Sequence, residues 1–399
     1  VAETFAPTTA AAYARIAAVR PAEYAHTRNA LDGAVSGLSP YITHGFVTLA
    51  EVHQQIAARH ALDVGDKFVF ELGWRAYFRH VWEHRGDAIF RSLHEGPLPE
   101  DAYARRFPED VRQGSTGVPV VDEAVRTLYA TGMLHNHARM WLASYLIHVR
   151  KIHWRSGADW LYGHLLDGDL ASNHLSWQWV AGTGSKKPYL FNADNVARYA
   201  PAPWHSPETV IDASYEALES MARQPDRKGP MQLATPSHAV KRLAPCVSAL
   251  PPQSLGTKAP DASSVACKDV WLVHPWNLCE RPDNLSPDTL SIGLFLSDFH
   301  EAWPWSQRRW HFAGSRLAEL TVERWHGDAG MVGAALSTAR SVRTIDDPHL
   351  RPWLSRWADS VAVPALFPSV DPPCNSFAQW WSRAARELRP STPAQAASR

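Results

Sequence analysis

The chain has 399 residues, 45% of them hydrophobic, with 40 basic and 40 acidic side chains. It is long enough to bury a large core and form two domains, and its zero formal charge excludes a whole-protein basic field, so a nucleic-acid site has to be a local patch. Its apolar runs fall short of a membrane span and residues 1–30 lack the unbroken apolar stretch of a signal peptide, which points to a globular, cytoplasmic protein. Cys246, Cys267, Cys279 and Cys374 lie far apart with no C-x-x-C pair. Reduced thiols are therefore expected, and neither a zinc site nor an iron–sulfur cluster.

In chain order, residues 8–200 read as helices joined by short breaks. In the first of chemical interest, Glu71, Trp74 and Arg75 stand at i, i+3 and i+4, so a helix puts acid, indole and guanidinium on one face. A surface helix with an i,i+4 ion pair is the plainer reading. From Val118 to Trp154 apolar residues recur at helical intervals, broken by a turn at Gly132. Asn136, Arg139 and Met140 repeat the earlier spacing. Arg139 adjoins the apolar run MWLASYLI and needs an acceptor, because an unpaired buried charge costs several kcal/mol; Asp167 is the candidate. The stretch Asp167–Trp179 then gathers carboxylates, amides and indoles, a mix better suited to a polar redox heterocycle than to a core. The Gly182–Lys187 loop lacks P-loop spacing and reads as a basic turn, and the many histidines show no metal-binding spacing.

After Pro201 the composition shifts to Pro, Ser and Ala, predicting a linker over 204–268 with one helix opened by Ser206-Pro207-Glu208. From 269 to 399 the pattern predicts a small α/β unit. Its strands are expected at Val270–Val273, Ser291–Leu296 and Val361–Leu366, its helices at Ser306–Trp325 and Ser376–Leu388. Its many tryptophans suit either a packed minimal domain or a surface that stacks on DNA or a chromophore. The fold class is thus mainly α over 1–203, then a linker, then α/β.

The ordered series Leu38-Ser39-Pro40-Tyr41, Glu71-Leu-Gly-Trp74-Arg75, Thr116-Gly-Val-Pro-Val-Val-Asp122, His135-Asn136-x-x-Arg139-Met140, Trp154-Arg155-x-Gly157 and Asp167-Gly-Asp169-Leu-Ala-x-Asn173 with Trp177-Gln-Trp179 resembles the FAD-binding helical domain of the DNA photolyase and cryptochrome family. The resemblance runs collinearly from about Tyr24 to Pro203. It implies FAD held by Tyr24, Ser36, Leu38, Ser39, Phe68, Arg75, Arg139, Asp167, Asp169, Leu170 and Asn173. Gly37 stands where many photolyases carry arginine. Asn173 matches the residue facing flavin N5 and favours an enzyme working from reduced FAD.

By the same resemblance Glu71, Trp74, Asn136 and Met140 match the pocket that takes a flipped cyclobutane pyrimidine dimer, rather than the histidine pair of (6-4) enzymes. Trp177 and Trp154 match the inner members of the electron-transfer chain. No tryptophan lies between Arg85 and Ser115, where the distal one often sits, so Trp179, Trp160 or Tyr145 is the alternative exit. Arg150, Lys151, Lys186 and Lys187 are candidates for DNA phosphates. The implied partner is UV-damaged DNA, single-stranded given the absent basic field, acted on by a monomer without metal. The matching motifs begin near the chain start, so the α/β antenna domain common photolyases place first is expected to be absent or removed, and an antenna chromophore is not expected. The chain is similar to a short bacterial photolyase-like group of that kind. A cryptochrome-like photoreceptor is the second implied activity, kept open by the C-terminal extension. A dark flavin oxidoreductase is a weaker third, since no nicotinamide fingerprint occurs.

Overall fold

The computed structural model describes residues 5–225 and 244–388; the middle of the expected linker lies outside them. The chain divides into two compact units that interleave along the sequence. One comprises Ala22–Val35 and Tyr77–Pro245, the other Phe5–Pro21, Ser36–Ala76 and Cys246 onward. This differs from the domain boundary expected at 203.

The first unit is helical, as its periodicity predicts. Pro119–Thr131 buries Val120, Val121, Ala124, Val125 and Leu128 along one stripe and stops at Gly132, whose φ of 72° is a left-handed conformation suited to glycine. Its start is fixed by the TGVPVVD motif. The Asp122 carboxylate accepts from Thr116 N and Oγ1, both at 2.8 Å, and from Gly117 N at 3.1 Å. Asn136–Ser144, Trp154–His164 and Leu170–Ala181 pack beside it around Trp141, Leu146, Leu161 and Trp177. Leu170–Ala181 has apolar residues nearly all round, consistent with a helix enclosed by others. The helix expected from Ser206 instead spans Tyr215–Ala222, because Ser214 supplies the cap by accepting from Ala217 N.

The second unit is α/β. A five-stranded, all-parallel sheet is formed by β1 (Asp269–Val273), β2 (Leu290–Leu296), β3 (Glu323–Gly327), β4 (Ser341–Thr344) and β5 (Asp359–Ser360), in the spatial order β3-β2-β1-β4-β5. Three expectations need correcting. The strand expected over Val361–Leu366 does not form; the short β5 ends just before it, and Pro364 has no N–H for a ladder. The helix expected to Trp325 ends at Leu320; Trp325 belongs to β3 and pairs with Leu294. Residues 246–268, expected as linker, are built into this unit, with Val247–Ser248 pairing antiparallel to Trp305–Ser306.

The sheet order reverses around β1, the place where doubly wound sheets leave a crevice beyond the strand ends. Here the loop after β1 fills it: Asn277 Nδ2 donates to Leu272 O (3.2 Å), and Trp276 stacks on His349 at 4.3 Å and 11°. Trp271, Trp276, Trp305, Trp310, Trp325 and Trp380 are buried, so these tryptophans are core. The N-terminal segments are part of the same unit. Tyr41 and Phe46 pack on Phe312, and His44 joins the Trp276 loop through Nδ1 to Pro275 O (2.6 Å) and its own carbonyl, which accepts from Leu278 N (3.0 Å).

Candidate flavin and substrate site

Within the first unit, Asp169 caps the Leu170–Ala181 helix by accepting from Ser172 N at 2.8 Å. Its other oxygen takes the Arg79 guanidinium, Nε at 3.1 Å and Nη2 at 2.9 Å, and its side chain is fully buried. Two residues earlier, Asp167 accepts Arg139 Nη2 on both oxygens, at 2.9 and 2.8 Å, while Arg139 Nε donates to Leu134 O at 2.9 Å. The acceptor that Arg139 required is thus Asp167. Charge-assisted pairs of this kind are strong and directional, and they hold both guanidinium planes against one helix start. Asn173, one turn into that helix, is buried and anchored by Nδ2 donating to Ala158 O at 2.8 Å. Leu170 is buried, and its carbonyl accepts the fully buried His174 Nδ1. Burial holds the His174 pKa below the ordinary histidine value, although Asp159 pulls the other way.

Arg79 was not among the residues singled out from sequence. Its signal was its place one turn after Arg75 in a long helix, Lys67–Arg85, where a second guanidinium needs a second carboxylate. Asn136, at the start of its helix, is exposed and places Nδ2 3.4 Å from Met140 Sδ. Tyr24 is half-buried, and His135 Nε2 lies 2.9 Å from Arg28 O. Trp177 is buried, and a Cβ on Gly157 would come within 2.3 Å of its ring. Trp154 is buried one turn before Gly157, and Trp179 is 43% exposed against Tyr189. Trp160 packs on Phe107, and Tyr145 is fully buried.

Two of the expected DNA-binding residues are corrected. Arg150 is buried and forks onto Asp110, Nη1 at 2.6 Å and Nη2 at 3.1 Å. Lys151 is buried with Nζ donating to the carbonyls of His148, Met221 and Ala222. Both charges serve the fold, because burial without such acceptors would be prohibitive. Lys186 and Lys187 are exposed.

In the second unit, Gly37 has a φ of 59°, a left-handed conformation that suits glycine. Leu38 is buried and its N–H meets Ser36 Oγ at 3.4 Å, while Ser39 opens the short Ser39–Thr43 helix. Arg75 Nη1 donates to Thr43 Oγ1 at 2.9 Å, Phe68 is buried, and Glu71 is half-buried. Trp74 stacks on Phe377, with ring centroids 4.1 Å apart and planes within 11°. Phe377 opens the Phe377–Ala384 helix, and a Cβ on Gly73 would meet the Trp381 ring at 2.3 Å. The sequence did not mark Phe377 as a neighbour of Trp74, and nothing local could have.

The chemistry of the groups gathered in the first unit fits a flavin: the Arg79 and Arg139 guanidinium donors and the Asn173 amide, with the Asp167 and Asp169 carboxylates, suit the alternating donors and acceptors on the polar edge of an isoalloxazine ring. No helix of the described residues is long and apolar enough to cross a membrane, and no group of three metal-ligating side chains occurs among them.

Residues 68–202 match the family model described as the FAD binding domain of DNA photolyase. Over these residues, which are largely helical, the chain is thus similar to an FAD-binding domain. The chain is 35% identical over 195 residues to a deoxyribodipyrimidine photo-lyase of Synechococcus sp., covering 44% of this chain and 39% of that protein. It is 35% identical over 170 residues to a cryptochrome DASH of Gloeobacter violaceus, covering 41% and 34% respectively. Among solved structures it is similar to a Synechocystis cryptochrome, with 30% identity, a TM-score of 0.44, and 50% of this chain and 44% of that one covered. The matched stretch thus spans under half the length of these relatives. Over this stretch the chain is similar to both DNA photolyases and cryptochromes.

Proposed function

We propose that this protein is a light-dependent DNA repair lyase that splits cyclobutane pyrimidine dimers with reduced FAD. The observation that carries the reading is the joint placement of Arg139–Asp167, Arg79–Asp169 and Asn173 around one helix start inside the stretch that matches the FAD-binding domain. When bound, FAD supplies the light absorption and the electron; the protein supplies orientation and shielding. Arg139 and Arg79, fixed by their carboxylates, orient the polar ring edge. Asn173, fixed on Ala158 O, would by the resemblance be the residue that faces flavin N5. By the resemblance, Ser36, Leu38, Ser39 and Tyr24 would hold the FAD phosphates, with Phe68, Arg75 and Leu170 supporting. By the same resemblance, Glu71, Trp74, Asn136 and Met140 would recognise the dimer, and Trp177 and Trp154 would bring electrons inward. Lys186 and Lys187 meet the DNA backbone. A single-stranded lesion is the preferred substrate, because it removes the cost of unpairing, about a few kcal/mol.

The test is repair of a UV-irradiated oligothymidylate by the purified monomer with reduced FAD, lit and dark, single-stranded and annealed. Light-dependent recovery of thymine, faster on the single strand, supports the reading. Equal rates on both would remove the strand preference, and no recovery would remove the lyase.

One observation favours a second reading, a cryptochrome-like photoreceptor: one face of Trp74 is already covered by Phe377 of the C-terminal helix. Flavin photoreduction without any dimer repair would select it.

A further inference from the structure

We propose that Ser92 and Glu100 form a proton exit for Trp154, converting its oxidised indole into a neutral radical. The inference rests on the reading that Trp154 passes electrons inward through Trp177. Trp154 is 3% exposed, and its Nε1–H donates to Ser92 Oγ at 3.0 Å. The Ser92 hydroxyl in turn donates to Glu100 Oε1 at 2.5 Å. The Glu100 side chain is 56% exposed. Ser92, Glu100 and Trp154 all line one cavity of about 390 Å³, together with His153 and Tyr103. A single hydroxyl therefore links a buried indole N–H to a carboxylate that water reaches.

The carboxylate is a ready acceptor. The Ser92 hydroxyl bond holds the Glu100 pKa below the ordinary carboxylate range, with His153 Nε2 at 3.7 Å and Arg105 at 3.9 Å adding to it. The segment between Arg85 and Ser115 has no tryptophan to which the electron vacancy could move; at this place it supplies Ser92 and Glu100 instead.

The physical need follows from burial. An indole N–H is hardly acidic, but loss of one electron makes it comparable in acidity to a carboxylic acid, and a cation in a buried site lacks solvation, which favours release of the proton. Trp154 gives one electron to the oxidised Trp177 indole. Its Nε1 proton moves to Ser92 Oγ while the Ser92 hydroxyl proton moves to Glu100 Oε1, and Glu100 releases a proton to water. A thiol in solution later returns one electron, and a proton returns along the same path. Return of the electron from the flavin side is slowed, because it then has to be accompanied by a proton.

Flash photolysis of the flavin-loaded protein tests this, since the neutral tryptophan radical absorbs to the blue of the cation. The wild type is expected to form the neutral radical. Ser92→Ala and Glu100→Gln should keep the cation longer and lower the long-lived radical yield several-fold, while Ser92→Thr, which retains the hydroxyl, restores both. In the flavin-free protein, Ser92→Ala should shift the Trp154 indole N–H resonance upfield, and Trp154→Phe identifies that resonance. Neutral-radical formation in Ser92→Ala and Glu100→Gln at the wild-type rate and yield overturns the exit. Absence of any tryptophan radical in the wild type, or Trp177→Phe leaving the radicals unchanged, instead overturns the electron path on which it rests.

Discussion

Phe377 lies flat against Trp74, ring centroids 4.1 Å apart and planes within 11°, although some three hundred residues of chain separate them. The pair belongs to a wider aromatic group in which Phe70 meets Phe377 at 4.6 Å and Trp381 at 5.3 Å. The C-terminal helix thus fixes the indole that the substrate reading assigns to dimer stacking. Ser376 caps that helix by accepting from Gln379 N at 3.2 Å.

Phe377 is 7% exposed. Phe377→Ala should destabilise the second unit by about 3 kcal/mol, the usual cost of emptying a buried phenyl site. Phe377→Leu should cost less than half of that. Urea unfolding checks both, and a Phe377→Ala effect under about 0.5 kcal/mol would show that the stack adds nothing.

The Arg139–Asp167 pair leaves Asp167 only 5% and Arg139 26% exposed at the side chain. Asp167→Ala strands a guanidinium in a largely buried place, so stability should fall by about 3 kcal/mol and flavin should be lost on purification. Asp167→Asn should retain more flavin than Asp167→Ala. The ratio of flavin to protein absorbance measures this; full flavin content in Asp167→Ala would remove the pair from cofactor binding.

Lys151 and the pair Lys186, Lys187 should separate cleanly. Lys151→Ala removes a donor to three carbonyls and should lower stability without changing the salt dependence of DNA binding. Lys186→Ala with Lys187→Ala should leave stability within about 0.5 kcal/mol and weaken DNA binding. It should also lower the slope of log affinity against log salt by about one for each phosphate that is no longer neutralised. An unchanged slope would place the DNA elsewhere.

Acid should destabilise the first unit through its buried histidines. Burial pushes the pKa of His148 and of His164 down to about 4, from 6.5 for an unhindered histidine. Above pH 6.5 both are neutral folded and unfolded, so they contribute no pH dependence. Between there and about pH 4 only the unfolded chain takes up the protons, and stability falls as pH falls, by about 1.4 kcal/mol per pH unit for each histidine. Below about 4 this source of slope ends. His148→Gln should flatten a urea-midpoint profile over that window, and an identical slope in the variant would refute the assignment.

The Arg139 acceptor, the Gly132 stop and the helical face carrying Glu71, Trp74 and Arg75 were legible in the sequence because each follows from spacing within a few turns. So were β1 and β2, as short apolar runs of buried parallel strands. Burial of Arg150 and Lys151 was not, since a basic residue near a helix end reads the same whether its acceptor is water, phosphate or a carbonyl from residue 221. Arg79 as the partner of Asp169, Ser92 as the partner of Trp154 and Phe377 as the partner of Trp74 were likewise fixed only by the fold. Local periodicity encodes which face of an element is apolar. Which distant polar or aromatic group meets that element depends on how the elements pack, where a hydrogen bond or a stacked ring is decided within a few tenths of an ångström.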